Sequence, residues 1–198
     1  MKVTIYVEGG GDNGDTLIRC KRGFAEYCHK LVPPMRKPKI VSCGGRQQAF
    51  DRFNDALSVS KPHDIYVLLV DSEGPMTAAN EVAHLAARDS WKFPVLERHK
   101  VFLMVQAMEA WFLADRDALV RFYGKDFLVK SLPGTETNVE AIRKDDLEQK
   151  LNHAASPTPK REYHKTRHAF DILATIDPKQ VESGSPHAKS FHDFLRSL

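Results

Sequence analysis

The sequence lacks any long apolar run. Its longest unbroken apolar stretch is residues 65–70, whereas a helix that crosses a membrane needs about 20 such residues. The first residues also lack the apolar region of a secretory signal peptide. These absences predict a soluble, cytoplasmic protein that does not associate with a membrane.

Cysteine is scarce as well. The chain contains three, Cys20, Cys28 and Cys43, and no Cys-x-x-Cys pair. An odd number without metal-site spacing favours free structural thiols in a reducing compartment over a disulfide scaffold.

Neither sign of charge dominates the composition. The 198 residues include 29 Lys and Arg against 26 Asp and Glu, and 42% are hydrophobic. This composition excludes a disordered or low-complexity chain, and the length fits one compact domain.

The balanced total conceals one basic segment, residues 17–46, with eight Lys or Arg and a single acid. A clustered positive surface attracts polyanions, which makes nucleic acid a candidate partner. A solvated helix face explains the same charges equally well.

Four short apolar runs recur along the chain, and each precedes a segment with helical periodicity. They are residues 2–7, 39–43, 65–70 and 101–105. The alternation predicts an α/β fold with a mainly parallel sheet of about four strands between helices. After residue 130 the sequence becomes polar and then helical, so we expect an α/β core over residues 1–130 and a helical C-terminal extension over residues 131–198. The two parts should pack together as one domain.

Carboxylates follow three of the four predicted strands. Glu8 follows the first, Asp71 and Glu73 follow the third, and Glu109 comes shortly after the fourth. In an open parallel sheet the ligand crevice lies beyond the carboxyl ends of the strands, so these side chains should meet. Carboxylates that share a crevice either have raised pKa values or bind divalent cations, and their oxygens suit Mg²⁺ or Mn²⁺. Any one of them could instead cap a helix or favour its positive end, but their joint occurrence predicts a metal site.

Phosphate chemistry also needs cations opposite the developing negative charge. Arg46 follows the second predicted strand, which places it at the same crevice. Lys165 and Arg167 in the extension are further candidates, although both also fit ordinary surface bases.

Two other patterns indicate different chemistry. Residues 9–14 match G-x-G-x-x-G after a strand, but Glu8 would repel a pyrophosphate there, and a glycine-rich turn is favoured. An NADP site with Arg46 on the 2′-phosphate stays open as an alternative. His164 and His168 lack the glutamate of a zinc protease, so zinc is not predicted.

Two short motifs, Val-Glu-Gly at residues 7–9 and Val-Asp-Ser-Glu at residues 70–73, resemble the TOPRIM fold. This is the metal-dependent phosphotransfer domain of topoisomerases, primases and overcoming-lysogenization-defect nucleases. The chain is more closely similar to small standalone TOPRIM-like bacterial proteins of unknown function, often encoded beside ATPases. That likeness also rests on residues 45–46, 108–115, 176–178 and 185–187.

The resemblance implies a Mg²⁺- or Mn²⁺-dependent nuclease that hydrolyses phosphodiesters in DNA or RNA. Glu8 would be a metal ligand or general base, and Asp71, Glu73 and Glu109 would be metal ligands. Arg46 or Lys165 would stabilise the charge on the phosphate. The resemblance also implies an ATPase partner and a role in defence against phage.

Two rival hypotheses come from other classes. Glu73 stands where the family pattern has aspartate, which favours a non-catalytic module that binds an ATPase or nucleic acid. The glycine-rich loop would instead serve a nucleotide-binding enzyme.

Overall fold

The computed structural model describes residues 2–96, 99–134 and 138–198, and it has the predicted α/β architecture. Four parallel strands form one sheet in the order β2-β1-β3-β4. Each predicted run forms a strand whose ends differ by at most one residue from the prediction. The strands are β1 (Lys2–Val7), β2 (Lys39–Ser42), β3 (Asp64–Asp71) and β4 (Lys100–Met104).

Helices connect and cover these strands. The α-helices are α1 (Gly14–His29), α2 (Arg46–Ser58), α3 (Glu81–Asp89), α4 (Glu109–Ala114), α5 (Arg116–Tyr123), α6 (Lys144–Ala155), α7 (Lys165–Thr175), α8 (Pro178–Gly184) and α9 (Pro186–Ser197). Short 3₁₀ turns occupy Pro34–Arg36, Val129–Ser131 and Val139–Ala141. Within the described ranges, no helix combines the length and apolar character needed to span a bilayer.

Alternate residues of the strands face opposite sides of the sheet, as the period of two requires. Ile5 and Val67 belong to one buried cluster, which also contains residues of α1 and of α4 to α9. Leu68 and Val70 belong to a second cluster with residues of α2 and α3. The sheet is therefore covered on both faces, which explains why residues 65–70 are apolar at every position.

The apolar periodicity predicts one helix over residues 78–86 and one over residues 111–119, and the structure differs in both segments. The segment after β4 forms two helices, because Asp115 leaves helical geometry with φ −113° and ψ 81°. Its carboxylate accepts hydrogen bonds from the amides of Ala118 at 3.0 Å and Asp177 at 2.7 Å. Ala78 and Ala79 precede α3 and do not form part of it.

Helices α1 and α7 pack in direct backbone contact. A Cβ atom at Gly23 would lie 2.5 Å from the carbonyl oxygen of Phe170, so a glycine is required for this approach. The same interface contains ion pairs from Arg19 and Arg22 to Asp171. The C-terminal extension is thus joined to the first helix by both packing and charge.

Several cations of the basic segment, residues 17–46, bind groups of the protein itself. Arg19 and Arg22 pair with Asp171. Lys30 donates hydrogen bonds to the carbonyl oxygens of Ala174 and Ile176, at the end of α7. Lys21 of α1 stays exposed. Further exposed basic side chains are at residues 36, 37 and 39, where β2 begins. They lie at the end of the sheet opposite to the carboxyl ends of the strands.

A buried histidine makes the stability of the fold depend on pH. The ring of His192 is fully buried, and its nitrogens lie 2.9 Å from the Tyr27 hydroxyl and 2.9 Å from Glu182, which also pairs with Arg196. Burial lowers the pKa of His192 to about 4, although Glu182 opposes this shift. The unfolded chain therefore binds a proton at this ring near pH 6.5, whereas the folded chain binds it only near pH 4.

We expect this group to lower the free energy of unfolding as the pH falls from about 6.5 to 4, by up to about 3 kcal/mol. Urea unfolding of the wild type and His192→Gln at pH 7 and pH 5 measures the effect, and the variant should lose less stability between the two values. Equal losses in the two proteins would contradict the prediction.

Candidate metal centre

The predicted carboxylates meet where β1 and β3 end side by side. Glu8 follows the last residue of β1, and Asp71 is the last residue of β3. Three carboxylate oxygens lie within 4.8 Å of one another, one each from Glu8, Asp71 and Glu73. Parallel neighbouring strands thus gather acids that are more than sixty positions apart in the chain.

Glu73 reaches this cluster from a tight turn. Its backbone has φ +64°, and its amide donates a hydrogen bond to the carbonyl oxygen of Gln106 at 3.1 Å. Gln106 also has a positive φ, and its amide donates to the Ser72 hydroxyl oxygen at 2.7 Å. The chain therefore does not continue as an extended strand through Glu73, and the turn that replaces it still brings Glu73 to Asp71.

Asp71 is the least compensated acid of the cluster. One of its carboxylate oxygens accepts a hydrogen bond from the Met108 amide at 2.9 Å. Within the residues that the structure describes, no Lys or Arg nitrogen lies within 4 Å of its carboxylate. Burial, and then the charges of Glu8 and Glu109, raise the pKa of Asp71 well above its usual range.

Glu8 is compensated by Arg46, whose Nη1 lies 3.1 Å from a Glu8 oxygen. The same Glu8 oxygen accepts a hydrogen bond from the Asp71 amide at 3.3 Å. Burial raises the pKa of Glu8, and Glu73 adds to the increase, while Arg46 opposes it.

Arg46 is itself held on every side. It forms a two-pronged contact with Asp89, at 3.0 Å from Nε and 2.7 Å from Nη2, and its guanidinium lies 5.1 Å from the centre of the Trp91 ring. Its Nη1 also donates to the carbonyl oxygen of Asp71. Only 15% of its side chain is exposed. Arg46 therefore positions Glu8 and closes the turn after β3, and its nitrogens are already committed to protein oxygens.

Glu73 has cations from two directions. Lys144, the first residue of α6, makes a close ion pair with it, and Arg88 of α3 lies 3.7 Å away. The predicted metal ligands Glu8 and Glu73 are thus each balanced by the protein, whereas Asp71 is not.

Glu109 lies on the wall of the same cavity, outside the 4.8 Å cluster. It is 4% exposed and accepts a 2.7 Å hydrogen bond from the hydroxyl of buried Tyr163. Lys165 lies 3.7 Å from it, with about half of its side chain exposed. Burial and the Glu109 charge raise the pKa of Tyr163, so the phenol stays a hydrogen-bond donor.

The cavity between these groups has a volume of about 200 Å³. Gly9 and Gly44 form part of its wall. The Gly9 amide donates a hydrogen bond to the Gly44 carbonyl oxygen at 2.8 Å, and the Gly44 amide donates one to the Gly9 carbonyl oxygen at 3.1 Å. Gly44 has φ +82°, and a Cβ atom there would lie 2.8 Å from the Gly11 carbonyl oxygen. The glycine-rich loop therefore closes against the residues after β2, beside the acids.

The donor set fits a hard divalent cation. Three carboxylate oxygens within 4.8 Å of one another can contact one ion, and oxygen ligands are those that Mg²⁺ and Mn²⁺ prefer. The negative charge of half-buried Asp71 has no protein cation next to it among the described residues. A metal ion would supply the missing positive charge.

The comparisons identify a family for this chain. A family model described as a domain of unknown function (DUF4276) matches residues 7–196. The chain is a DUF4276 protein. Neither the curated proteins nor the solved structures contain a match to it.

Several residues of the DUF4276 site carry no signal in the sequence. Asp89 is the last residue of α3, Trp91 follows that helix, Lys144 begins α6, and Tyr163 precedes α7. Each reaches the site through tertiary packing alone, from a position that has no motif around it.

Two side chains singled out by the sequence lie outside the cavity lining: the candidate cation Arg167, and His187 in the resembling residues 185–187. His187 contacts Glu140 at 2.9 Å, and the Arg167 side chain is exposed outside the cavity lining.

Proposed function

We propose that this DUF4276 protein is a metal-dependent phosphodiester hydrolase that acts on nucleic acid. The observation that carries the proposal is the cluster of Glu8, Asp71 and Glu73 at the carboxyl ends of β1 and β3, in which Asp71 has no neighbouring cation among the described residues. The TOPRIM resemblance adds the substrate class, DNA or RNA. The ATPase partner and the role in phage defence come from the resemblance, the cytoplasmic location comes from the composition, and all three stay predictions.

Glu8, Asp71 and Glu73 would hold the cation, with Glu109 next to them. A bound divalent ion supplies polarisation of a phosphoryl oxygen and a lower pKa of bound water. Burial raises the pKa of Glu8, which makes it a stronger base than an ordinary glutamate and suits it to accept a proton. Lys165, half exposed beside Glu109, would face the phosphate, while Arg46 acts through Glu8.

A non-catalytic binding module is the second candidate. Glu73 already contacts Lys144 and Arg88, so it would have to be shared between these cations and a metal ion. This pairing favours a site in which protein cations occupy the place of the metal.

A calorimetric titration of Mg²⁺ and Mn²⁺ tests the proposal, followed by assays of the same samples on labelled DNA and RNA. We expect the wild type to bind and cleave, and Asp71→Ala/Glu73→Ala to do neither, because that variant loses two of three ligands. Asp51→Ala/Asp55→Ala removes two exposed acids from α2 and serves as the matched control. Wild-type protein that binds neither ion would overturn the proposal in favour of the binding module.

A further inference from the structure

A second basic segment, residues 158–168, is separate from residues 17–46 and borders the acidic cavity. It contains Lys160, Arg161, Lys165 and Arg167, with Glu162 as its one acid. All four basic residues are exposed. Lys165 and the neighbouring Thr166 line the cavity itself, so the segment continues directly from the site to the outer surface.

The segment is fixed in place by the protein. The Tyr163 ring is buried and its hydroxyl binds Glu109, and Arg19 of α1 donates a 2.9 Å hydrogen bond to the carbonyl oxygen of Thr166. The Lys160 ammonium lies 5.1 Å from the centre of the Phe122 ring. A ligand that bound here would meet cations that are already positioned.

The charges of this segment are not neutralised by nearby acids. Among the described residues, no carboxylate lies within 4 Å of Lys160, Arg161 or Arg167. Asp171 stands four residues after Arg167 on α7, where it could pair with it, but Arg19 and Arg22 hold that carboxylate instead. The negative charges of Glu109, Asp71 and Glu148 act on Lys165. The other three cations therefore remain without a carboxylate partner among the described residues.

We infer that residues 158–168 are a docking surface for the sugar-phosphate backbone of a nucleic-acid strand. The next phosphate of that strand enters the carboxylate cavity. This inference deepens the proposed function, on which it rests for the ligand class. A polymer with a phosphate at every step can contact several of these cations and still extend to the cavity, whereas a single phosphate cannot. An acidic membrane surface is too flat to reach into the cavity.

The test measures binding in EDTA, so it does not depend on a metal ion or on cleavage. Fluorescence anisotropy of labelled single-stranded and duplex oligonucleotides would be recorded over a range of salt concentrations, with Lys160→Ala/Arg161→Ala/Arg167→Ala as the variant. Each lost phosphate contact on a single strand should reduce the slope of log affinity against log salt concentration by about 0.7. At about 0.1 M salt this corresponds to roughly a fivefold loss of affinity. We expect a loss of at least about tenfold for the triple variant.

The chain offers a matched control. Arg36→Ala/Lys37→Ala/Lys39→Ala removes the same charge from exposed positions at the opposite end of the sheet, and it should bind like the wild type. Thermal unfolding of both variants checks that each is folded.

The outcomes are separable. Equal losses in the two variants would show a general effect of net charge and overturn the inference, as would a wild type that does not bind. Affinity that is the same for one nucleotide and for a long strand, or a preference for anionic vesicles, would also overturn it. Strand binding lost in the first variant alone would support the inference even if the metal titration rejects the hydrolase.

Discussion

Replacement of Asp71 by asparagine should stabilise the metal-free protein and abolish its response to Mg²⁺. Asparagine keeps the oxygen that accepts the Met108 amide and removes a charge that burial and neighbouring acids disfavour. Because the pKa of Asp71 is raised on folding, the unfolded carboxyl ionises first, and the folded state loses stability as the pH rises above 3.8. We expect an increase of roughly 1 kcal/mol at neutral pH, or about 2 to 4 °C in Tm.

The same variant should lose metal binding and activity. A ligand in 100-fold excess over its Kd stabilises a protein by about 2.7 kcal/mol, so Mg²⁺ should raise the Tm of the wild type but not that of Asp71→Asn. Cleavage should fall by more than about a hundredfold, because loss of a direct ligand exceeds loss of a group that only orients one.

The pH dependence provides the control for Asp71→Asn. The stability difference between variant and wild type should shrink as the pH approaches 4, where the wild-type carboxyl is protonated as well. A variant less stable than the wild type at neutral pH would show that the Asp71 charge is already compensated without metal.

Replacement of Arg46 by alanine should unfold the protein at a markedly lower temperature. Glu8 and Asp89 would lose their cation while their side chains remain less than 20% exposed, and Trp91 would lose its stacking partner. Removing one partner of such an ion pair typically costs about 3 to 5 kcal/mol. Arg88 also contacts Asp89 and compensates part of this loss, so we expect about 2 to 3 kcal/mol and a Tm lower by roughly 4 to 12 °C.

A double-mutant cycle with Asp89→Ala identifies the cause. The two substitutions together should cost less than the sum of the single ones, with a coupling of about 1 to 3 kcal/mol. Arg46→Lys should not restore the wild-type Tm, because an ammonium lacks the planar fork that contacts both Asp89 oxygens. If Arg46→Ala reduced cleavage and left the Tm unchanged, Arg46 would instead contact the phosphate directly, as the sequence alone predicts.

The sheet was predictable because its signals are local. Runs such as residues 65–70 are continuous and apolar, and turn residues bound them, so the strands are visible in the sequence to within one residue. The break at Asp115 was not visible, because the apolar spacing of α4 and α5 is that of one helix. It depends on Asp115 binding the Asp177 amide, a contact that joins positions 62 residues apart.

The site was predictable only in part, for a related reason. The crevice rule brings Glu8, Asp71 and Glu73 to one edge, since it depends on strand ends alone. The cations that pair with Glu73 come from α3 and α6, and Lys165 at the start of α7 pairs with Glu109. No periodicity places these helices near that edge. The role of Arg46 could not be read from its position after β2, because Asp89 and Trp91 surround it only in the folded chain.

The division of helices between the two sheet faces has a consequence for synthesis on the ribosome. The face covered by α2 and α3 can close once β4 has emerged, because all of its strands and helices precede residue 105. The other face stays uncovered, with Phe24 and Tyr27 of α1 lacking α7 and α9, until much later in translation. Tyr163 and Lys165 join Glu109 in that late stage as well. The nascent chain therefore holds its acids at an open, half-covered sheet from the completion of β4 until α7 and α9 have been made, a state exposed to aggregation.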